Sequence, residues 1–561
     1  MYTPDLAPLA GSLLLSSLVA LLPLLTIFLT LGVLRWKAHW AGLAALGVAM
    51  LVAAIAYGMP VDLVALSATE GLAFGLFPIM WIVLNAIWLY ELTVRSGRFE
   101  DLRSVIDALS DDPRVQAIII AFCFGGLLEA LAGFGAPVAI TGVMLMAIGF
   151  TAMRAATVVL IANTAPVAFG AIAIPIITAG NLTGIPFQHI GAIVGHQTPF
   201  IAAVVPLFLV FLVDGKRGVK QLWPLALVVG VVFGLAQFVS ANFISVPLTD
   251  IIASLAGLAA AVVMLQVWKP TGGQDALDKM ARERSTESTG PVDASGTGGA
   301  VATAERTTVR LTPSRVLMAL FPYLLVIVIF SASKLIPFLK SFLAATDVKI
   351  PWPGLDGNVL TTDGEVAGST VYTLQWLSSP GTLLLITGII VAIVYRMSLR
   401  DAVDVYVTNL VKLRYSILTV ASVLALAYVM NLSGQTITIG TWIAGTGAAF
   451  AFLSPILGWL GTAVTGSDTS ANALFATLQQ TAAEKAGLDP ALLVAANTSG
   501  GVVGKMISPQ NLTIAATAVG LVGQESAIFR KVIWWSLGML LAMCLLVGLQ
   551  STVLSWMIPT L

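Results

Sequence analysis

Between Leu457 and Gln510 the chain reads as two membrane-length apolar segments, each interrupted by Gly, Ser, Thr and Asn, with Asp468 and Lys505 inside the interruptions. In hydrocarbon, a backbone that leaves the helix must be satisfied by protein or by water in a cavity, so such interruptions are costly unless they serve a purpose. Paired short or Gly/Pro-broken segments mark the binding site of a membrane carrier. The composition agrees with a bilayer as solvent. Of 561 residues 58% are hydrophobic and 10% charged, and many apolar runs reach the roughly 20 residues that cross a bilayer. A β-barrel would instead alternate over segments of about ten residues.

The expected fold class is an all-α polytopic membrane protein with about 12 transmembrane helices. The spans read at 11–34, 40–57, 72–94, 154–177, 191–213, 222–240, 250–268, 315–337, 378–395, 413–431, 490–510 and 531–557. Two further segments, 116–150 and 446–482, are too long for one helix and carry small residues at their middles. These are Ala132-Gly133-Phe134-Gly135-Ala136-Pro137 and Thr465-Gly466-Ser467-Asp468, read as tips of re-entrant helical hairpins. The first apolar run lacks a basic leader and follows Asp5, so it is read as a span and not a cleavable signal.

Charge sets the orientation. With the N-terminus outside, 23 of the 28 Lys and Arg fall on the cytoplasmic side, as the positive-inside rule expects. The plasma membrane, the inner membrane of a bacterium, is the expected location. The stretch 269–313, rich in Gly, Ser, Thr and charge, reads as a flexible cytoplasmic linker. It divides the chain into a first half with extra helices, 1–268, and a second half, 314–561.

The halves are related by an internal repeat. Ala162-Asn163-Thr164 recurs as Ala496-Asn497-Thr498, each followed by a Gly (Gly170, Gly504) and a Pro (Pro175, Pro509) at matched spacing. Upstream, Gly133 matches Gly466, Gly125 matches Gly458, and Ser96-Gly97 matches Ser433-Gly434. The charge map puts Met59 outside and its counterpart Met397 inside, so the copies are inverted. Inverted repeats whose broken helices meet near the midplane belong to secondary transporters.

The candidate site follows from the repeat. Asn163-Thr164 and Asn497-Thr498 adjoin Pro or Gly and are read as helix breaks whose freed N–H groups favour an anion. The second tip adds Ser467, Asp468, Thr469, Ser470 and Asn472, while Gly133 and Gly135 of the first tip and Gly466 of the second offer backbone only. Lys505 is read as the cation for a substrate carboxylate. Glu129, flanked by Leu and Ala, is the first candidate for the coupling proton because desolvation disfavours its charged form, and Asp468 is the second. The plainer alternatives are kinked helices satisfied by their own hydroxyls, a surface loop at the second tip, and a structural Asp468–Lys505 pair.

Zero net charge offers no field for nucleic acid. Cys123 and Cys544 lie in apolar runs, and no metal-ligand spacing, P-loop or nucleophile elbow appears, so no metal, cofactor or enzymatic activity is expected. His189 and His196, at the outer start of a span, are read as interfacial.

The runs FCFGGLLEALAGFGAPVAIT (122–141), ANTAPVAFGAIAIPI (162–176), GWLGTAVTGSDTSANALFATLQ (458–479) and LLVAANTSGGVVGKMISPQ (492–510) resemble the L-lactate permease family. The similarity extends from about residue 10 to 557, and the main departure is the linker 269–313, longer and more polar than usual. The resemblance implies proton-symported uptake of L-lactate, with D-lactate and glycolate as analogues. It also implies a substrate-carrying domain that moves past a fixed scaffold, by analogy with related transporters. The partners expected are the 2-hydroxymonocarboxylate, protons and the lipid bilayer, with a homodimer left open. The rivals are a Na⁺-coupled carboxylate symporter of the same fold, a membrane enzyme acting on lipid, and a channel.

Overall fold

A computed structural model describes residues 1–559 except 108, 132, 134, 288–311 and 363. Ala132 and Phe134 of the first tip, and residues 288–311 of the expected linker, lie outside the described residues. Ten helices among the rest are long and apolar enough to cross a membrane, joined by shorter apolar helices such as Ala136–Ile148 and Pro380–Val394. One small antiparallel ribbon, Val348–Pro351 with Val371–Leu374, sits in a loop.

The 47-residue helical run Thr198–Ile244 is two spans, because Gly215 turns the chain at φ 68° and ψ −154°. The second span folds back along the first. A Cβ on Gly230 would lie 2.2 Å from the Ala203 carbonyl oxygen, and one on Gly234 2.9 Å from that of Pro199. Small residues permit such approach where lipid supplies no hydrophobic drive between helices.

Element order repeats as the sequence repeat requires. A long helix (Val61–Arg95), a short one (Arg98–Asp107), a hairpin (Pro113–Leu131 and Ala136–Ile148) and a broken helix (Ala152–Ala162 and Gly170–Thr183) form the first copy. The second copy is Leu399–Leu432, Gln435–Ile443, the hairpin Phe450–Thr465 and Asp468–Ala486, and the broken helix Pro490–Gly504 and Pro509–Ala518. The copies clasp each other reciprocally. The second arm of the first hairpin packs on the far half of the second broken helix, and the second arm of the second hairpin packs on the far half of the first.

Packing sorts the helices into two bodies. Ala38–Leu51, Val61–Arg95, Pro313–Leu335, Pro380–Val394 and Leu399–Leu432 pack chiefly on one another. The hairpins, broken helices, Thr198–Val239, Thr249–Val267 and Glu525–Gln550 form the other body. The bodies meet where Leu399–Leu432 faces Asp468–Ala486 and Trp81–Arg95 faces Gly170–Thr183. At the tips, Gly133, Gly135, Gly466 and Asp468 are buried. The 13-residue second arm of the first hairpin, about 20 Å long at 1.5 Å per residue, falls short of the bilayer's roughly 30 Å core.

Part of the expected linker is ordered. Residues Gly273–Glu287 form a helix whose Lys279 pairs with Asp214 at 3.3 Å and whose Glu283 pairs with Arg154. Asp214 also accepts from Arg114, which has no exposed surface and reaches Asp112 and the Thr271 carbonyl as well. Composition alone reads this stretch as flexible; buried charge partners supplied from distant helices hold it.

Candidate functional site

The first helix break falls where the sequence places it. Ala152–Ala162 ends at Asn163, and the chain resumes helix only at Gly170. Just beyond, Ala171, Ile172 and Ala173 have φ of 44°, 61° and 58°. Left-handed backbone costs a β-carbon residue roughly 1–2 kcal/mol, and three such residues in sequence persist only where surrounding packing imposes them. They lie against the first hairpin tip: a Cβ on Gly133 would meet that of Ala171 at 3.3 Å.

The second break does not fall at Asn497–Gly501. Pro490–Gly504 is continuous helix through those residues, and the chain leaves it at Lys505–Ile507 and extended Ser508 before Pro509 restarts it. Gly500 and Gly501 are there for close approach. A Cβ on Gly501 would fall 1.9 Å from Asp468 Oδ1, and one on Gly500 2.0 Å from the Pro455 carbonyl oxygen. Glycine in an apolar helix marks either unwinding or contact, and composition does not distinguish them.

Lys505 and Glu129 form the centre of the site. Lys505 Nζ donates to Glu129 Oε1 at 2.5 Å, joining the second break to the first hairpin, and both side chains are buried. Glu129 lies against Gly170, whose added Cβ would stand 2.9 Å from Oε1. Its Oε2 has no hydrogen-bond partner. The predicted alternative pair, Asp468 with Lys505, does not form as a salt bridge. Asp468 is buried at the start of its arm, accepts from Thr462 Oγ1 at 3.3 Å and leaves Oδ2 without a partner. Lys505 acts on it electrostatically.

A narrow cleft beside this pair, too tight in this conformation to admit a water molecule, is lined by Asn163, Thr164, Lys505 and Asn511, with Val138, Leu160 and Met506 as apolar walls. Asn163 Oδ1 is buried without a partner. Thr164 Oγ1 back-bonds to the Leu160 carbonyl at 3.4 Å. Asn511, which sequence reading missed, donates to the Lys505 carbonyl at 3.2 Å and to Ser508 Oγ at 2.9 Å. Its signal was the Ser-Pro-Gln-Asn run after Lys505, where Ser508 caps the restarting helix. Gly135 (φ 83°) backs onto the same segment near Asn511 and Ile514.

The polar residues of the second hairpin lie elsewhere. Ser467 caps its helix by accepting from the Ser470 amide. Thr469 and Ser470 are buried in the first turn, and Gly466 (φ 77°) meets Gln510. Asn472, Asn497 and Thr498 are bonded among themselves. Asn472 Oδ1 accepts from Asn497 Nδ2 at 3.0 Å and Thr498 Oγ1 at 3.1 Å, and Gln479 donates to Asn497 Oδ1 at 3.3 Å. This network fastens the hairpin to Pro490–Gly504. None of these residues lines the cleft.

Sequence reading also missed Asp250, fully buried at the start of Thr249–Val267 and bonded to Gln237. In the sequence it stands at the edge of the span 250–268, where a carboxylate is ordinary. Cys123 and Cys544 are buried free thiols. Among the described residues no group of three or more His, Cys, Asp or Glu is placed to hold a metal.

The chain matches the family model described as L-lactate permease over residues 16–554. An L-lactate permease of Bacillus subtilis (strain 168) is 41% identical over 100% of both chains. The glycolate permease GlcA of Escherichia coli (strain K12) is 42% identical over 96% of this chain and 95% of its own. The L-lactate permease of the same organism is 41% identical over 98% of each. The solved structure of Neisseria gonorrhoeae MtrF aligns at a TM-score of 0.32 and 14% identity, over 84% of this chain and 95% of that one.

Proposed function

The chain belongs to the L-lactate permease family, and on that premise we propose that it is a proton symporter taking up L-lactate, and also D-lactate and glycolate, across the plasma membrane. It is a multi-pass membrane permease and not an enzyme. The N-terminus is read as outside, from the distribution of Lys and Arg.

One observation carries the coupling: the cation suited to the substrate's carboxylate is already held by an internal carboxylate, Glu129. Removing one partner of a buried pair leaves an uncompensated charge at a cost of about 3–5 kcal/mol. A substrate anion takes Lys505 without that cost only if Glu129 accepts a proton as it lets go. Anion binding and proton binding are then one event, and neither proceeds favourably alone. When the cleft opens, the substrate hydroxyl and carboxylate meet Asn163, Thr164 and Asn511. The division into two bodies suits a substrate-bearing body of hairpins and broken helices that moves past a scaffold.

The test is lactate uptake in proteoliposomes. Lactate-driven alkalinisation of the outside medium is expected, unchanged when choline replaces Na⁺. Uptake that needs Na⁺ and moves no proton would replace this reading with the sodium-coupled one. Alkalinisation that survives Glu129→Gln would remove Glu129 from the role.

A further inference from the structure

Asp250 has no part in the site described so far, yet its surroundings are organised around it. Its Oδ1 accepts from Gln237 Nε2 at 2.8 Å, and the same nitrogen donates at 3.1 Å to the carbonyl of Ala165, inside the first break. Asp250 Oδ2 and Gln237 Oε1 are buried without partners. The helix carrying Asp250 packs on the first hairpin, where a Cβ on Gly126 would lie 2.7 Å from Ser254 Oγ. Among the described residues the charged group acting on Asp250 is a second carboxylate, Glu129, and no cation is paired with it.

Ser254, one turn beyond Asp250 on its helix, faces Gly126, one turn before Glu129, and several polar atoms of this region are unpartnered. Glu129 Oε2, Ser254 Oγ, Asp250 Oδ2, Gln237 Oε1 and Ser245 Oγ are all buried and unsatisfied by protein. Ser245 lies in the turn that precedes the Asp250 helix, and beside that turn an open cleft is lined by His189, His196, Phe238 and Asn242. Buried polar atoms are nearly always bonded, and a carboxyl at membrane depth is costly and rare without a role. Unsatisfied polar atoms gathered around the Asp250 helix, between the turn at Ser245 and the first hairpin, are the partners that bridging water needs. None of them lines the substrate cleft.

We infer that Asp250 is a proton-relay residue that supplies Glu129 from the membrane face at Ser245, along a path separate from that of the substrate. This rests on the proton-symport reading above. In the step, an O–H bond at Asp250 Oδ2 breaks and one forms at Glu129 Oε2 through an intervening water. Asp250 regains its proton from hydronium at the Ser245 end, leaving neutral water behind. One proton moves inward and no other reactant is needed.

The experiment compares wild-type protein with Asp250→Asn and Asp250→Glu in proteoliposomes, reading lactate-driven proton uptake and, separately, exchange of labelled for unlabelled lactate at equal pH. During exchange the loaded carrier shuttles without releasing its proton. Asp250→Asn is expected to lower proton-coupled net uptake at least about tenfold, as loss of a proton-transfer group does, while exchange persists and Asp250→Glu restores net uptake. Wild-type rates of net uptake in Asp250→Asn would overturn the relay. So would loss of both net uptake and exchange, which would make Asp250 a structural residue. A wild-type protein that moves lactate without protons would instead overturn the parent reading, and the relay with it.

Discussion

Lys505 and Glu129, 376 residues apart in the chain, meet at 2.5 Å where the second break crosses the first hairpin. Each comes from a different copy of the inverted repeat. The pair therefore joins the two copies through one buried charge contact.

Breaking this pair from the cationic side should be costly. Lys505→Met is expected to destabilise the protein by about 3–5 kcal/mol by stranding Glu129, and adding Glu129→Gln should recover most of that loss. Thermal melting in detergent reads the stability, and uptake should be absent in both variants. A double variant no more stable than Lys505→Met would mean that the two side chains are not energetically coupled.

Asn163 presents an unpartnered oxygen to the cleft. Asn163→Leu is expected to raise the KM for lactate roughly tenfold, equivalent to one hydrogen bond of about 1.4 kcal/mol. Melting temperature should hardly change, because no protein bond is lost. An unaltered KM would take Asn163 out of the substrate's reach.

Asn472 should behave in the opposite way. Its side chain bonds both Asn497 and Thr498 within buried packing. Asn472→Ala leaves those groups unsatisfied at about 1–3 kcal/mol, so melting temperature should fall while the KM of the folded fraction stays near wild type. A large rise in KM without loss of stability would return Asn472 to the substrate site.

Gly458 has no space for even a methyl group, since a Cβ there would lie 1.8 Å from the Asn497 carbonyl oxygen. Gly458→Ala must push the second hairpin off Pro490–Gly504, costing about 1–3 kcal/mol or more. Gly47, where an added Cβ meets nothing within 4 Å, is the control: Gly47→Ala should fold normally. Fluorescence-detected size exclusion of both variants checks the contrast.

Hydropathy and spacing made the helices, the hairpins and the inverted repeat legible, because each is written in local periodicity or in self-similarity along one chain. The same reading singled out Glu129, Lys505 and the Asn163 break, since ionisable or unwound groups are conspicuous in apolar sequence. It misread Asn497–Gly501 as unwound, because glycine for close packing and glycine for a break look alike until the neighbouring helix is present. It offered Asp468 as the structural partner of Lys505 where the fold brings Glu129, and it passed over Asn511 and Asp250. Those outcomes were decided by tertiary structure alone: a charge takes the partner that packing brings within reach, and the partner's place in the sequence carries no trace of that distance.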